Sequence, residues 1–182
     1  MKKETAGYVF RLAFTLFAIT AVVALCLGAV NSVTGPRILK AREEKARQAI
    51  EAVLPGGGEE IRDFRDETGL VSRVYASETG YAMEVSPSGF NGTVTMMVGV
   101  SKDLKVTGLS VINQTETAGL GAVCAAKTEA GEKFRGQFTG MSGALAVSRD
   151  GGRVDAITGA TITSRAVTEG VSAALQCAAE LD

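Results

Sequence analysis

From Leu12 to Val30 the chain runs for roughly nineteen residues without a charge, enough to cross a ~30 Å hydrocarbon layer as a helix. Thr15 and Thr20 interrupt the apolar run, but a helical threonine satisfies its hydroxyl on a carbonyl one turn earlier. The run exceeds the 7–15 residues of a signal-peptide core, and Leu25 rather than a small residue precedes Cys26. Residues 1–35 therefore read as an uncleaved, single-pass membrane anchor. After Pro36 the pattern changes. Ala41, Ala46, Ile50, Val53 and Leu54 fall on one side of a helix, with Arg42, Glu43, Lys45 and Arg47 among the others. Pro55-Gly56-Gly57-Gly58 stops that helix, so residues 36–58 read as a stalk helix and linker.

Residues 59–182 read as one further domain. Strand-like segments run over Leu70–Ala76, Tyr81–Val85, Thr93–Val100 and Val106–Ile112. The short turns between them, rich in glycine, serine and asparagine, predict antiparallel hairpins. An alanine-rich helix is expected over Ala122–Lys127, and a further hairpin over Ala144–Ser148 and Arg153–Ile157 through Asp150-Gly151-Gly152. Phe134 and Phe138 read as core residues rather than ligand-stacking ones. Val167, Val171, Ala174, Leu175 and Ala178 recur at helical spacing in the last segment. The predicted class is α+β: one N-terminal transmembrane helix, then a single domain with a mainly antiparallel sheet flanked by helices.

Composition narrows the chemistry. A chain of 182 residues buries one substantial core. The formal net charge of −1 implies no basic face for nucleic acid. Histidine is absent, which removes histidine-based nucleophilic catalysis, histidine-ligated haem and most zinc sites. Cys26, Cys124 and Cys177 show no Cys-x-x-Cys spacing, so no metal site is expected. Cys124 and Cys177 could pair outside the cytoplasm; the expectation is two unpaired, buried thiols. No glycine-rich nucleotide-binding pattern occurs.

Two small-residue stretches carry the candidate chemistry. The first is Asp155-Ala156-Ile157-Thr158-Gly159-Ala160-Thr161-Ile162-Thr163-Ser164, at the entry to the last helix. A Thr-Gly-Ala-Thr corner there sets free backbone N–H groups and the positive helix end beside hydroxyls, an arrangement suited to phosphate. Gly159 and Ala160 let a bulky group approach the backbone. The plainer reading is that Thr158 or Thr161 caps the helix. The second stretch, Asn113-Gln114-Thr115-Glu116-Thr117-Ala118-Gly119-Leu120-Gly121, follows the last strand.

Together these stretches resemble the covalently flavinylated G-subunit of Rnf-type ion-translocating electron-transport complexes, and almost as closely the C-subunit of the sodium-pumping NADH:quinone reductase. The resemblance spans about Gly80 to Val171 and includes the anchor. In that family Asp, two variable residues, Ser or Thr, then Gly-Ala-Thr marks the site of FMN attachment; the pattern falls on Asp155 to Thr161. The resemblance implies FMN esterified to Thr161 by a separate flavin transferase, with the phosphate against the N–H groups of Ile162 and Thr163. It implies that Thr158, Gly159 and Ala160 shape the corner, and that Gly119, Gly121 and Leu120 lie along the flavin. Glu116 and Thr117 offer polar contacts to the ring or ribityl chain, or Glu116 only fastens its loop. Asp155 positions the corner, binds the transferase's metal ion, or is an ordinary turn carboxylate. Gln114 stands where histidine is common, and Ala118 where proline is common. The missing proline leaves the loop's φ angles freer.

The resemblance further implies a membrane-bound electron carrier, with no catalytic residue of its own, among other membrane and redox subunits. Such a complex is a translocase that couples ferredoxin and NAD redox exchange to sodium or proton movement. The alternatives are a free-standing tethered flavoprotein, or a flavin-free anchored interaction domain. Basic residues flank the apolar run on both sides: Lys2, Lys3 and Arg11 before it; Arg37, Lys40, Arg42, Lys45 and Arg47 after it. Counted plainly, they favour a cytoplasmic C-terminus. The resemblance implies the opposite, an inner-membrane protein with its soluble domain on the extracytoplasmic side.

Overall fold

The computed structural model describes residues 2–181, with side chains from Gly7 onward. The chain divides between Glu43 and Glu44 into two units. The first is made of helix α1 (Lys2–Val53), whose last turns belong to the second unit. This helix is long and apolar enough to cross a membrane. Leu16, Phe17 and Leu25 along it are exposed, which only a non-aqueous surrounding or a partner would favour. Thr15 and Thr20 donate to the carbonyls of Arg11 and Leu16 at 2.8 and 3.0 Å, so neither carries an unmet hydroxyl into the apolar run. Helix α1 runs through Pro36. Its ring removes one N–H from the helical ladder there.

The second unit is built on a five-stranded antiparallel meander: β1 (Glu59–Ile61), β2 (Val71–Ala76), β3 (Gly80–Val85), β4 (Thr95–Ser101) and β5 (Val106–Asn113), in that spatial order. Helices α2 (Glu129–Gly136) and α3 (Thr161–Leu181) follow. The class is α+β, as the alternation of apolar residues and short turns predicts. Successive residues of a strand point to opposite faces, and here both faces are covered. Tyr81, Met83, Val85, Met96, Val98 and Val100 join Val167, Val171 and Ala174 of α3 in the main core. Ala82 and Met97, from the other face, pack with Ala49, Val53 and Leu54 at the end of α1.

Glycine makes that second contact close. A Cβ at Gly99 would stand 2.5 Å from the Val53 carbonyl oxygen. The same carbonyl, left unpaired at the helix end, accepts the Thr107 hydroxyl at 2.8 Å.

Two expectations are corrected. Ala122–Lys127 is not an α-helix: a 3-10 turn occupies Gly121–Ala125, and the helix α2 lies just beyond it. Its N-cap Thr128 accepts the Gly131 N–H at 3.4 Å. The hairpin over Ala144–Ser148 and Arg153–Ile157 is absent. Val147 and Val154 instead form a lone parallel bridge around a 3-10 turn, Ser148–Asp150, closed by Gly151 in the left-handed region (φ 84°). Both valines are fully buried; they are two single anchors, too close in sequence around the turn to extend into a ladder. Phe134 and Phe138 are core residues, their rings edge to face at 5.5 Å. Cys124 and Cys177 are unpaired and buried, and burial pushes each thiol up to about 11.

Candidate functional site

The stretch after β5 is pinned from both sides. Gln114 folds back to accept the Glu116 N–H at 2.6 Å. Asn91, in the turn between β3 and β4, donates its side-chain amide to the Thr115 carbonyl at 2.7 Å, and the Thr115 hydroxyl returns a bond to the Asn91 carbonyl at 3.1 Å. Glu116 completes the latch. Its buried carboxylate accepts the N–H groups of Asn91 and Phe90 at 2.9 and 3.2 Å, and the hydroxyl of Thr163 on α3. Burial alone would raise this carboxyl's pKa; the Thr163 hydroxyl and the two N–H groups outweigh it and hold the group below the usual carboxylate range. One ionised side chain therefore joins turn, loop and helix.

Room for that carboxylate comes from glycines. A Cβ at Gly121 would stand 2.5 Å from the Thr163 hydroxyl oxygen and 2.6 Å from Glu116 Oε2. Gly121→Ala is expected to cost about 1–3 kcal/mol, the usual range for overpacking a fitted site. Thermal unfolding of the full chain in detergent checks this; an unchanged midpoint would show that the latch has slack.

The entry to α3 is held by an unexpected residue. Ser164 accepts the Ile157 N–H at 2.9 Å and donates to the Ala160 carbonyl at 2.9 Å. The Ala160 N–H reaches the Ile157 carbonyl at 2.9 Å, and Gly159 takes the left-handed conformation (φ 76°) that this tight corner requires. Neither Thr158 nor Thr161 caps the helix: no hydrogen bond of either hydroxyl exists among the described residues. The Thr161 hydroxyl is half-buried and unpartnered, and the first-turn N–H groups of Thr161, Ile162 and Thr163 have no backbone acceptor.

Loop and corner face each other across a cleft of about 450 Å³. Glu116, Thr117, Leu120 and Gly121 line it from the loop; Gly159, Ala160, Thr161, Ile162 and Thr163 line it from the corner. Leu120 and Ile162 are 43% and 49% exposed, an apolar rim above a polar floor. Thr158, Gly119 and Asp155 are outside this lining. Gln137 clamps the Asp155 backbone through bonds of 2.8 and 3.2 Å, leaving its carboxylate exposed and without a partner among the described residues. Two lining residues escape a sequence reading, Phe90 and Arg149. Phe90 is a lone aromatic in a polar turn and stands 66% exposed, a pattern that could have flagged it. Arg149 is one cation among many and gave no signal.

The size of the cleft is that of a small-molecule site. Free N–H groups at a helix start and an arginine on one side suit a phosphate; the apolar rim suits a flat ring. The site lacks what an alcohol needs to become a nucleophile unaided. No histidine exists in the chain, and the carboxylate of Glu116 is engaged in the latch.

Comparison with known proteins agrees with this outline. The FMN-binding domain family matches residues 89–176, a span that takes in every lining residue of the cleft. The G-subunit of the Na(+)-translocating ferredoxin:NAD(+) oxidoreductase complex of Acetobacterium woodii is 32% identical over 193 residues, covering 92% of this chain and 90% of that protein. The G-subunit of the ion-translocating oxidoreductase complex of Methanosarcina acetivorans is 30% identical over 173 residues, covering 88% and 89%. The G-subunit of the proton-translocating ferredoxin:NAD(+) oxidoreductase complex of Clostridium ljungdahlii is 37% identical over 111 residues, covering 56% and 57%.

Proposed function

The chain belongs to the G-subunit family of ion-translocating oxidoreductase complexes, and from that premise we propose that it carries FMN covalently on Thr161. As a member of that family it is an FMN-binding electron-transfer subunit of a membrane complex. The observation that carries the finer reading is the Thr161 hydroxyl: unpartnered, half-buried and set in the first turn of α3 at the wall of the cleft.

Attachment is a phosphoryl transfer without redox change. Thr161 Oγ bonds to the FMN phosphorus of FAD, the bond from that phosphorus to the AMP oxygen breaks, and AMP leaves. The hydroxyl proton passes to a base of the transferase, because this chain supplies none nearby. Asp155, exposed and with its backbone clamped by Gln137, is the group presented to that enzyme. Thr161, with the N–H groups of Ile162 and Thr163, holds the phosphate; Thr158, Gly159 and Ala160 shape the corner. Leu120 and the backbone of Gly121 would hold the ring and Thr117 would offer it a polar contact, while Gly119, expected beside them, is outside the cleft lining. Glu116 fastens the walls rather than binding the ribityl chain, since its oxygens are already engaged. When bound, FMN supplies one- and two-electron transfer, and the protein supplies placement.

The complex served is a ferredoxin:NAD oxidoreductase that moves sodium or protons, and the partners are its membrane and redox subunits. In this reading residues 1–35 anchor the chain in the inner membrane, 36–58 form stalk and linker, and 59–182 bind FMN on the extracytoplasmic side. The basic residues from Arg37 onward belong to a continuing helix, which weakens their vote in a loop-charge count.

The full chain, co-expressed with a flavin transferase, is expected to gain the mass of FMN less one water, on the peptide that contains Thr161. Unmodified protein, or flavin mapped to another peptide, overturns the reading.

A further inference from the structure

Arg149 is the cation that lines the cleft, and its place there is built rather than incidental. Its neighbour Asp150 holds Arg165 of α3 through two bonds, 2.6 Å to Nε and 2.7 Å to Nη2. Arg165 is one turn beyond Thr161, so the two share a face of the helix. The fork-to-fork pair fixes direction as well as distance, and it docks the 3-10 turn Ser148–Asp150 beside the helix start. Arg149, one residue earlier, is thereby delivered to the wall that carries the Thr161 hydroxyl. Its guanidinium has no hydrogen bond among the described residues, while Arg165 beside it is committed to Asp150. Gly151 closes the same turn in the left-handed region, and buried Val147 and Val154 root its two ends in the core.

We infer that Arg149 grips the phosphate of the flavin, and that the Asp150–Arg165 pair positions it to do so. The inference rests on the FMN reading above and adds a recognition residue to it. A guanidinium offers two parallel donors to phosphate oxygens, whereas the first-turn N–H groups approach from the helix axis. The two together account for the phosphate's charge and leave the ring to the apolar rim. The cleft then discriminates FMN from riboflavin, which has the same ring and no phosphate.

The test uses full-length Thr161→Ala protein in detergent, which cannot form the ester, and measures free FMN and riboflavin by flavin fluorescence. FMN is expected to bind more tightly than riboflavin. Arg149→Gln added to that background weakens FMN by roughly fivefold, the upper end for an exposed charged contact, and leaves riboflavin unchanged. Asp150→Asn lowers FMN affinity in the same direction, and rising salt erodes the preference only while Arg149 is present. An unchanged preference for FMN in Arg149→Gln overturns the inference. Should FMN bind this background too weakly to measure, the phosphorus NMR resonance of the covalently loaded chain decides. Arg149→Gln moves it if the grip exists, and an unmoved resonance overturns the grip. Failure of the parent reading is separate, and shows as a wild-type chain that takes no flavin on Thr161 at all.

Discussion

Thr161→Ala is expected to remain colourless after denaturation and dialysis, while keeping its fold. The change removes a hydroxyl that makes no hydrogen bond among the described residues. The corner does not depend on it, since Ser164 carries the bonds that close the helix entry. Alanine is also the better helix former. The stability change is therefore expected to stay within about 0.5 kcal/mol, as for substitutions away from any structural contact. Thr161→Ser keeps a hydroxyl but loses the branch that restricts χ1; it is expected to accept flavin more slowly and at the same position. Thr158→Ala keeps the acceptor hydroxyl, and because Thr158 is exposed and outside the cleft lining, whatever flavin this variant takes is expected on Thr161. In-gel flavin fluorescence, peptide mapping and thermal unfolding check all three. Flavin retained by Thr161→Ala at Thr158 would move the attachment point and remove the argument from the free hydroxyl.

Much of this arrangement is written locally. Strands β2 to β5 follow from apolar runs bounded by glycine and asparagine turns, and the entry to α3 follows from the change of period after Thr161. What local pattern cannot express is partnership at long range. Glu116 reaches Phe90 across 26 residues and Thr163 across 47, and no spacing rule connects three such positions. Thr163 shows the consequence: the local sequence points to its backbone N–H alone and gives no sign that its hydroxyl is engaged by Glu116. Ser164 is missed for a related reason, since a buried serine that bonds both ways looks like any small residue at a helix start. The failed hairpin has another cause. Val147 and Val154 carry the apolar signal of strands, yet each serves as a single plug in the core on either side of a tight turn. Strand β1, three residues long and mostly exposed, offers too little pattern to read.

The second large effect is expected at the latch. Glu116→Gln keeps the shape but replaces one acceptor oxygen by an NH2 group. Three donors converge on the native carboxylate, so the amide must turn its own donors toward at least one of them. A buried donor left unmatched costs about 1–3 kcal/mol, and the variant is expected to lose roughly that at neutral pH. The pH dependence has a definite sign. The folded carboxyl titrates below its ordinary value because the Thr163 hydroxyl and the two N–H groups prevail over burial. Its ionisation therefore stabilises the fold in full above the unfolded pKa of about 4.3. That contribution falls away as pH drops through the lower folded value. Glutamine does not titrate, so the gap between wild type and variant is expected to close in acid. Asp66 also sits below the usual range, its bonds to Thr68 and to loop N–H groups overcoming burial, but it is common to both proteins and cancels in the difference. Thermal unfolding of both full chains, followed stepwise from neutral pH down into acid, measures the gap. A gap that stays constant would mean that the shape of residue 116, not its charge, ties the loop to α3. The same loosening is expected to slow flavin loading of the variant, since the acceptor hydroxyl and the facing loop are held in register through this one carboxylate.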